Sequence, residues 1–171
     1  MTNTANLEDT TSAVSQAEQR SAGKYLTFAL AEEEYGVSVL TVREIIKMMP
    51  TTAVPQVPAH ITGVINLRGK VIPVVDLRQK FGLGTQEYTD ETCIIVVEVS
   101  MQPSKVMMGI IVDSVSEVLT IASEEIEETP TFGDQVTTEY LKGVAKVKGT
   151  VKMLLDLDAV LGSDGAVAAI A

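Results

Sequence analysis

The stretch "GVINLRGKVIPVVDLRQKFG", Gly63 to Gly82, is written again eighty residues later as "GVAKVKGTVKMLLDLDAVLG", Gly143 to Gly162. Aligned without gaps, the two are identical at seven positions, among them Gly63/Gly143, Gly69/Gly149, Asp76/Asp156 and Gly82/Gly162. Ordinary composition would give about one such match. Other pairs keep their chemistry, such as Arg68/Lys148 and Val75/Leu155. Upstream, "GVSVLTVREII" (Gly36 to Ile46) lies over "GIIVDSVSEVL" (Gly109 to Leu119) at an offset of 73, so Gly36, Val39, Val42 and Glu44 return as Gly109, Val112, Val115 and Glu117. The change of offset from 73 to 80 places a seven-residue insertion in the second copy, within "EETPTFGDQVTTE". The chain is an internal duplication.

At 171 residues with 46% hydrophobic content, three Phe, four Tyr and no Trp, the chain suits two modules of about 70 residues whose bulk comes from aliphatic side chains. Cores that small are thin, and the modules are expected to share an apolar seam. The division expected is a tail over 1–23, a first half over 24–88, a second half over 89–162 and a C-terminal tail over 163–171.

Within each half the reading is mainly β. "KYLTFALA" and "YGVSV" alternate as strands around an acidic turn, "EEE". "TVREIIKMM" has helical spacing, with Thr41 as N-cap, an apolar stripe of Val42, Ile45, Ile46 and Met49, and Pro50 as its stop. "RGK" is a tight turn leading into "KVIPVVDL". There Pro73 lacks an amide, so it must face an edge or a bulge; the second copy has Met153 and can be more fully paired. Five short, bent strands per half with glycine turns favour a small closed barrel over an open sheet, so an all-β fold of two five-stranded barrels side by side is expected, with short helices.

A net charge of −10 opposes nucleic acid or anionic lipid as partner. The single cysteine, Cys93, excludes a disulfide scaffold and points to a reducing compartment. No apolar run reaches the length of a membrane span, and the N-terminus lacks the basic and apolar blocks of a signal peptide.

The residues offer little for catalysis. The one histidine, His60, lies in a proline-bounded loop without a nucleophile motif. "FGLG" lacks the third glycine of a dinucleotide fingerprint. Asp76 and Asp156 stand at equivalent strand ends, where capping a turn is the ordinary role. No enzyme activity, metal or cofactor is expected. Arg68 has the planar fork that Lys148 lacks. It could grip a partner carboxylate or bridge to a neighbouring acid. Val39, Val42 and Ile45 fit a core stripe or the lip of a groove between barrels that takes a partner helix. The alternative to a docking module is a small-ligand-binding or catalytic β-barrel anchored on Asp76 and Asp113.

Together "EYGVSVLTVREI", "NLRGKVIPVVDLR", "GIIVDSVSEVL" and "TTEYLKG" closely resemble the bacterial chemotaxis coupling proteins of the CheW type, over about residues 24 to 162. The resemblance implies SH3-like barrels and a non-catalytic adaptor that joins the helical hairpin of chemoreceptors to the regulatory domain of the CheA histidine kinase. It implies a cytoplasmic protein, monomeric when free, that is recruited to receptor arrays by protein contacts without inserting into the membrane. By position it assigns Leu26, Val39, Val42, Glu44, Ile45 and Val115 to a receptor-binding face. Gly63, Asn66, Arg68 and Gly69 would form a kinase-binding surface.

Overall fold

The computed structural model describes residues 23–101, 104–127 and 138–162, so the two tails (apart from Gly23) and most of the predicted insertion lie outside it. Among these residues are eleven strands: β1 (Gly23–Leu30), β2 (Glu33–Ser38), β3 (Val42–Lys47), β4 (Ile61–Leu67), β5 (Lys70–Asp76), β6 (Cys93–Met101), β7 (Ser104–Val112), β8 (Ser114–Ile121), β9 (Ile126–Glu127), β10 (Leu141–Val147) and β11 (Thr150–Leu155). Two short helices, α1 (Leu77–Lys80) and α2 (Leu157–Gly162), follow β5 and β11. Their caps repeat. Asp76 Oδ1 accepts from the amide of Arg78 at 3.0 Å, and Asp156 Oδ1 from that of Ala159 at 3.3 Å, the role expected of both aspartates.

The strands form two sheets, in the orders β3-β6-β7-β5-β4 and β8-β1-β2-β11-β10-β9. In the first, the amide of Thr52 donates to the carbonyl of Val64 and the amide of Val64 to the carbonyl of Thr52, both at 2.9 Å, so the chain just beyond β3 reaches β4 and closes the barrel. In the second, β9 follows β8 and pairs with β10 to the same effect. The expected all-β pair of barrels is present.

The barrels do not follow the expected halves. The first takes three strands from the first half and the second takes four from the second half, and each adds the first hairpin of the other half: β1–β2 sits in the second barrel and β6–β7 in the first. The docking ladders are equivalent parallel pairings, β5 with β7 and β11 with β2. The boundary expected at residue 88 therefore falls in a connector and does not divide the sheets. The exchange is explained by burial on both faces of each hairpin. In β1, Leu26, Phe28 and Leu30 enter the core between the sheets while Tyr25 enters the second barrel. In β6, Ile95, Val97 and Val99 face that shared core while Ile94 and Val96 fill the first barrel. Strands buried on both sides are the ones that read as continuous apolar runs, such as "CIIVVEV". The largest core cluster is thus the seam between the barrels, as two thin modules require.

Gly36 and Gly109, the echoed pair, both stand on the docking ladders where a neighbouring strand's side chain lies close. A Cβ on Gly36 would lie 3.1 Å from Leu154, and one on Gly109 only 2.7 Å from Ile94 and 3.4 Å from Val74. At Gly36 the docking strand's Leu154 takes that space; at Gly109 it is taken chiefly by Ile94 of β6 in the same hairpin, with Val74 of the docking strand in ordinary contact.

The segment "TVREIIKMM" is strand, not helix. Val42–Lys47 pairs antiparallel with β6, Ile45 opposite Ile95 and Ile46 opposite Ile94, with a bulge between Val42 and Glu44. Its residues alternate between half-buried and exposed, which leaves Ile45 outside. Helical spacing arose by accident of the bulge, and the β-branched residues prefer the sheet. The predicted N-cap Thr41 instead ends a 3-10 turn over Val39–Thr41, whose cap is Ser38, with Ser38 Oγ accepting from the amide of Leu40 at 3.3 Å.

Candidate functional site

The turn "NLRG" joins β4 to β5. Arg68 has φ 52° and Gly69 φ 86°, positive at both central positions as in the type I′ hairpin, and Lys148 and Gly149 repeat this at 54° and 80°. Asn66 Oδ1 accepts from the amide of Gly69 at 2.8 Å and holds the turn. Arg68 is thereby thrust outward, its side chain 70% exposed. Gly63 does not reach the surface: it is buried, with φ 146°, and a Cβ there would fall 2.1 Å from the carbonyl oxygen of Thr52. Its part is to let the first barrel close.

Arg68 NH2 bonds to Oε2 of Glu44 on β3. Of the two readings open for this arginine, the free chain realises the bridge to a neighbouring acid. The guanidinium holds the Glu44 carboxyl below its ordinary range, chiefly through that hydrogen bond. A depressed carboxyl pKa means the bridge is fully formed above about pH 4.5 and is lost only as pH falls through the lower folded value. Both groups are solvated, so salt screens the pair. One residue earlier, Arg43 donates through NH2 and Nε to Oε2 of Glu98 on β6, at 2.7 and 3.1 Å.

The structure thus brings a residue expected on one face, Glu44, into contact with one expected on the other, Arg68. Of the other residues expected on a receptor face, Val39, Val42 and Val115 are half-buried against the seam core, and Ile45 is 44% exposed. Leu26 is only 4% exposed and belongs to the seam core, beneath any face rather than on it. Sequence reasoning missed Leu40. It lies in the 3-10 turn between Val39 and Val42 and is 81% exposed, the most exposed large apolar side chain among the described residues. Its signal was an apolar residue at the point where the chain leaves one sheet for the other, with no alternation to place it inside.

The carboxylates of the catalytic alternative are committed elsewhere. Asp76 caps α1 and its Oδ2 accepts from the hydroxyl of Tyr88 at 3.1 Å. Asp113 Oδ2 accepts from Arg78 NH1 at 2.7 Å and from the amide of Ala31 at 2.9 Å. Among the described residues no group of three or more His, Cys, Asp or Glu is placed to hold a metal ion, and no helix is long and apolar enough to cross a membrane.

What fold and surface define together is a two-barrel β module with exposed apolar side chains at a sheet crossover and a solvated ion pair beside them. The model of the CheW-like domain matches residues 24–165. The chain is 36% identical over 141 residues to the chemotaxis protein CheW of Klebsiella aerogenes, covering 82% of each chain. It is 35% identical over 154 residues to that of Bacillus subtilis, covering 90% of this chain and 96% of the relative. The crystal structure of scaffolding protein TtCheW from Thermoanaerobacter tengcongensis superposes with a TM-score of 0.74 at 36% identity, covering 84% of this chain and 97% of that one. The chain belongs to the CheW-like family.

Proposed function

We propose that this protein is a non-catalytic chemotaxis adaptor that couples chemoreceptor signalling tips to a CheA-type histidine kinase and relays receptor control of kinase activity. The supporting observation is the contact between two expected docking surfaces within one CheW-like double barrel. Glu44, beside Leu40, Val42 and Ile45, is joined to Arg68 on the "NLRG" turn. The receptor face comprises Val39, Leu40, Val42, Glu44, Ile45 and Val115, with Leu26 packed below. An amphipathic helix from the receptor's helical hairpin would lay its apolar side on it. The kinase face comprises Asn66, Arg68 and Gly69, with Gly63 fixing the barrel behind them. The protein acts from the cytoplasm as a monomer that joins receptor arrays through these contacts.

A receptor–kinase assay reconstituted without this protein is expected to lose receptor control of phosphorylation and to regain it on its addition; control that persists without it overturns the reading. Arg68→Ala is expected to weaken coupling while the melting temperature stays within about 2 °C, because a solvated ion pair adds little to stability. Unfolding of that variant would make Arg68 structural.

A further inference from the structure

The two barrels differ where their docking ladders approach the hairpin ends. In the second barrel the β11–β2 ladder pairs Lys152 with Glu34, Met153 with Tyr35 and Leu154 with Gly36. By the offsets of 80 and 73, the equivalent rungs of the first barrel are Ile72 with Met107, Pro73 with Met108 and Val74 with Gly109. Only the last exists. The β5–β7 ladder covers Val74–Asp76 against Gly109–Ile111, and it stops at the residue that has no amide to give. Pro73 stands where the second barrel has Met153, and the Lys152–Glu34 ion pair that ties the second barrel's last rung is replaced by Ile72 and Met107. Among the described residues, β7 therefore has no strand partner from Ser104 to Met108 on its β5 side.

Between the diverging strands lies a slot of about 550 Å³. Ile72 and Met107 belong to the first barrel's core cluster, whereas Val106 packs against the seam core and Val71 is 66% exposed, so the slot passes through the sheet and is lined from both of its faces. Lys70 and Lys105 stand at its rim in a chain of net charge −10. Glu98, also in the lining, is already paired with Arg43.

We propose that this slot is a strand-addition site, which takes an extended acidic segment of a partner protein onto the free edge of β7. Main-chain bonds to that edge would give affinity. Alternate side chains would fall over Ile72 and Met107 on one face and over Val71 and Val106 on the other, and carboxylates would meet Lys70 and Lys105. The slot adjoins the "NLRG" turn, but the inference rests on the missing rungs and holds whatever partner Arg68 serves.

The test is an NMR titration of the full chain with the peptide acetyl-TVEVDVT-amide. Saturable shifts of the amides of Lys70, Val71, Ile72, Lys105, Val106 and Met107 are expected. Pro73→Met, which restores the missing amide and lets the ladder close, should weaken binding about tenfold or more. The double charge reversal Lys70→Glu with Lys105→Glu should do the same, and because both lysines are exposed the fold survives it even if Pro73→Met misfolds. The cationic peptide acetyl-TVKVKVT-amide should not compete. Absence of saturable shifts at these amides, equal binding of the cationic peptide, or undiminished binding by the charge-reversed protein overturns the proposal.

Discussion

Replacing Leu40 and Ile45 together by glutamate is expected to weaken receptor docking at least about a hundredfold while leaving the fold untouched. Both side chains already face water, at 81% and 44% exposure, so neither contributes a core contact that the substitution would remove. The backbone at Leu40 is set by its neighbours: Thr41 Oγ1 donates to the carbonyl of Ser38 at 2.7 Å, and Ser38 Oγ accepts from the Leu40 amide. Docking is another matter. Burying a leucine or isoleucine against a helix is worth about 1.5–3 kcal/mol each, and a carboxylate in that place must be desolvated without a partner. Loss at both positions exceeds the roughly 2.7 kcal/mol that a hundredfold represents. Isothermal titration against a receptor signalling-tip fragment measures it, with circular dichroism melting as the control. Leu40→Met should bind nearly as the parent does. Affinity within about threefold of the parent in the folded double variant would remove this turn from the receptor face.

That Leu40 went unnoticed in the sequence, while Ile45 was seen for an incorrect reason, shows where the pattern stops being informative. Ile45 stood out as part of a helical stripe, yet it is exposed because a bulge after Val42 shifts the phase of a strand. Local periodicity cannot distinguish a bulged strand from a short helix when both place apolar residues three and four apart. Chemistry that depends on one residue type was legible: Asp76 and Asp156 as caps, Pro73 as the point where pairing fails, and Gly69 and Gly149 as turns. Duplication announced two barrels but not their exchange of hairpins. The pairings that decide it, Val74 with Gly109 and Leu154 with Gly36, join residues far apart in sequence, and the repeat looks the same whichever barrel a hairpin enters. Arg68 was left between two readings because the residue that settles its free state, Glu44, lies on a strand that the sequence did not reveal as its neighbour.

A larger effect on stability is expected at Asp113, which the sequence offered only as a possible ligand anchor. It is the one residue between β7 and β8, where the chain passes from the first barrel to the second. Its carboxylate binds Arg78 of α1 on the first barrel and the amide of Ala31 in the β1–β2 turn of the second. That turn carries two non-glycine residues at positive φ, Ala31 at 51° and Glu32 at 71°, a conformation that must be held by its surroundings. Arg78 is only 15% exposed, and its Nε has no hydrogen-bond partner, so the bond to Asp113 is the main compensation for burying the guanidinium. Asp113→Ala removes the counter-charge, strips the acceptor from the Ala31 amide and releases the strained turn. The pair is part-buried, so solvent reduces the cost below that of a fully buried one, to about 2–3 kcal/mol. In a domain of this size that lowers the melting temperature by roughly 4 to 12 °C. Arg78→Leu made together with Asp113→Ala should recover part of the loss, since no unpaired charge then remains inside. Urea unfolding of the two variants decides between a clamp and an incidental bond: a single-variant cost below about 1 kcal/mol, or a double variant less stable than the single, would show that the joint between the barrels does not depend on this pair.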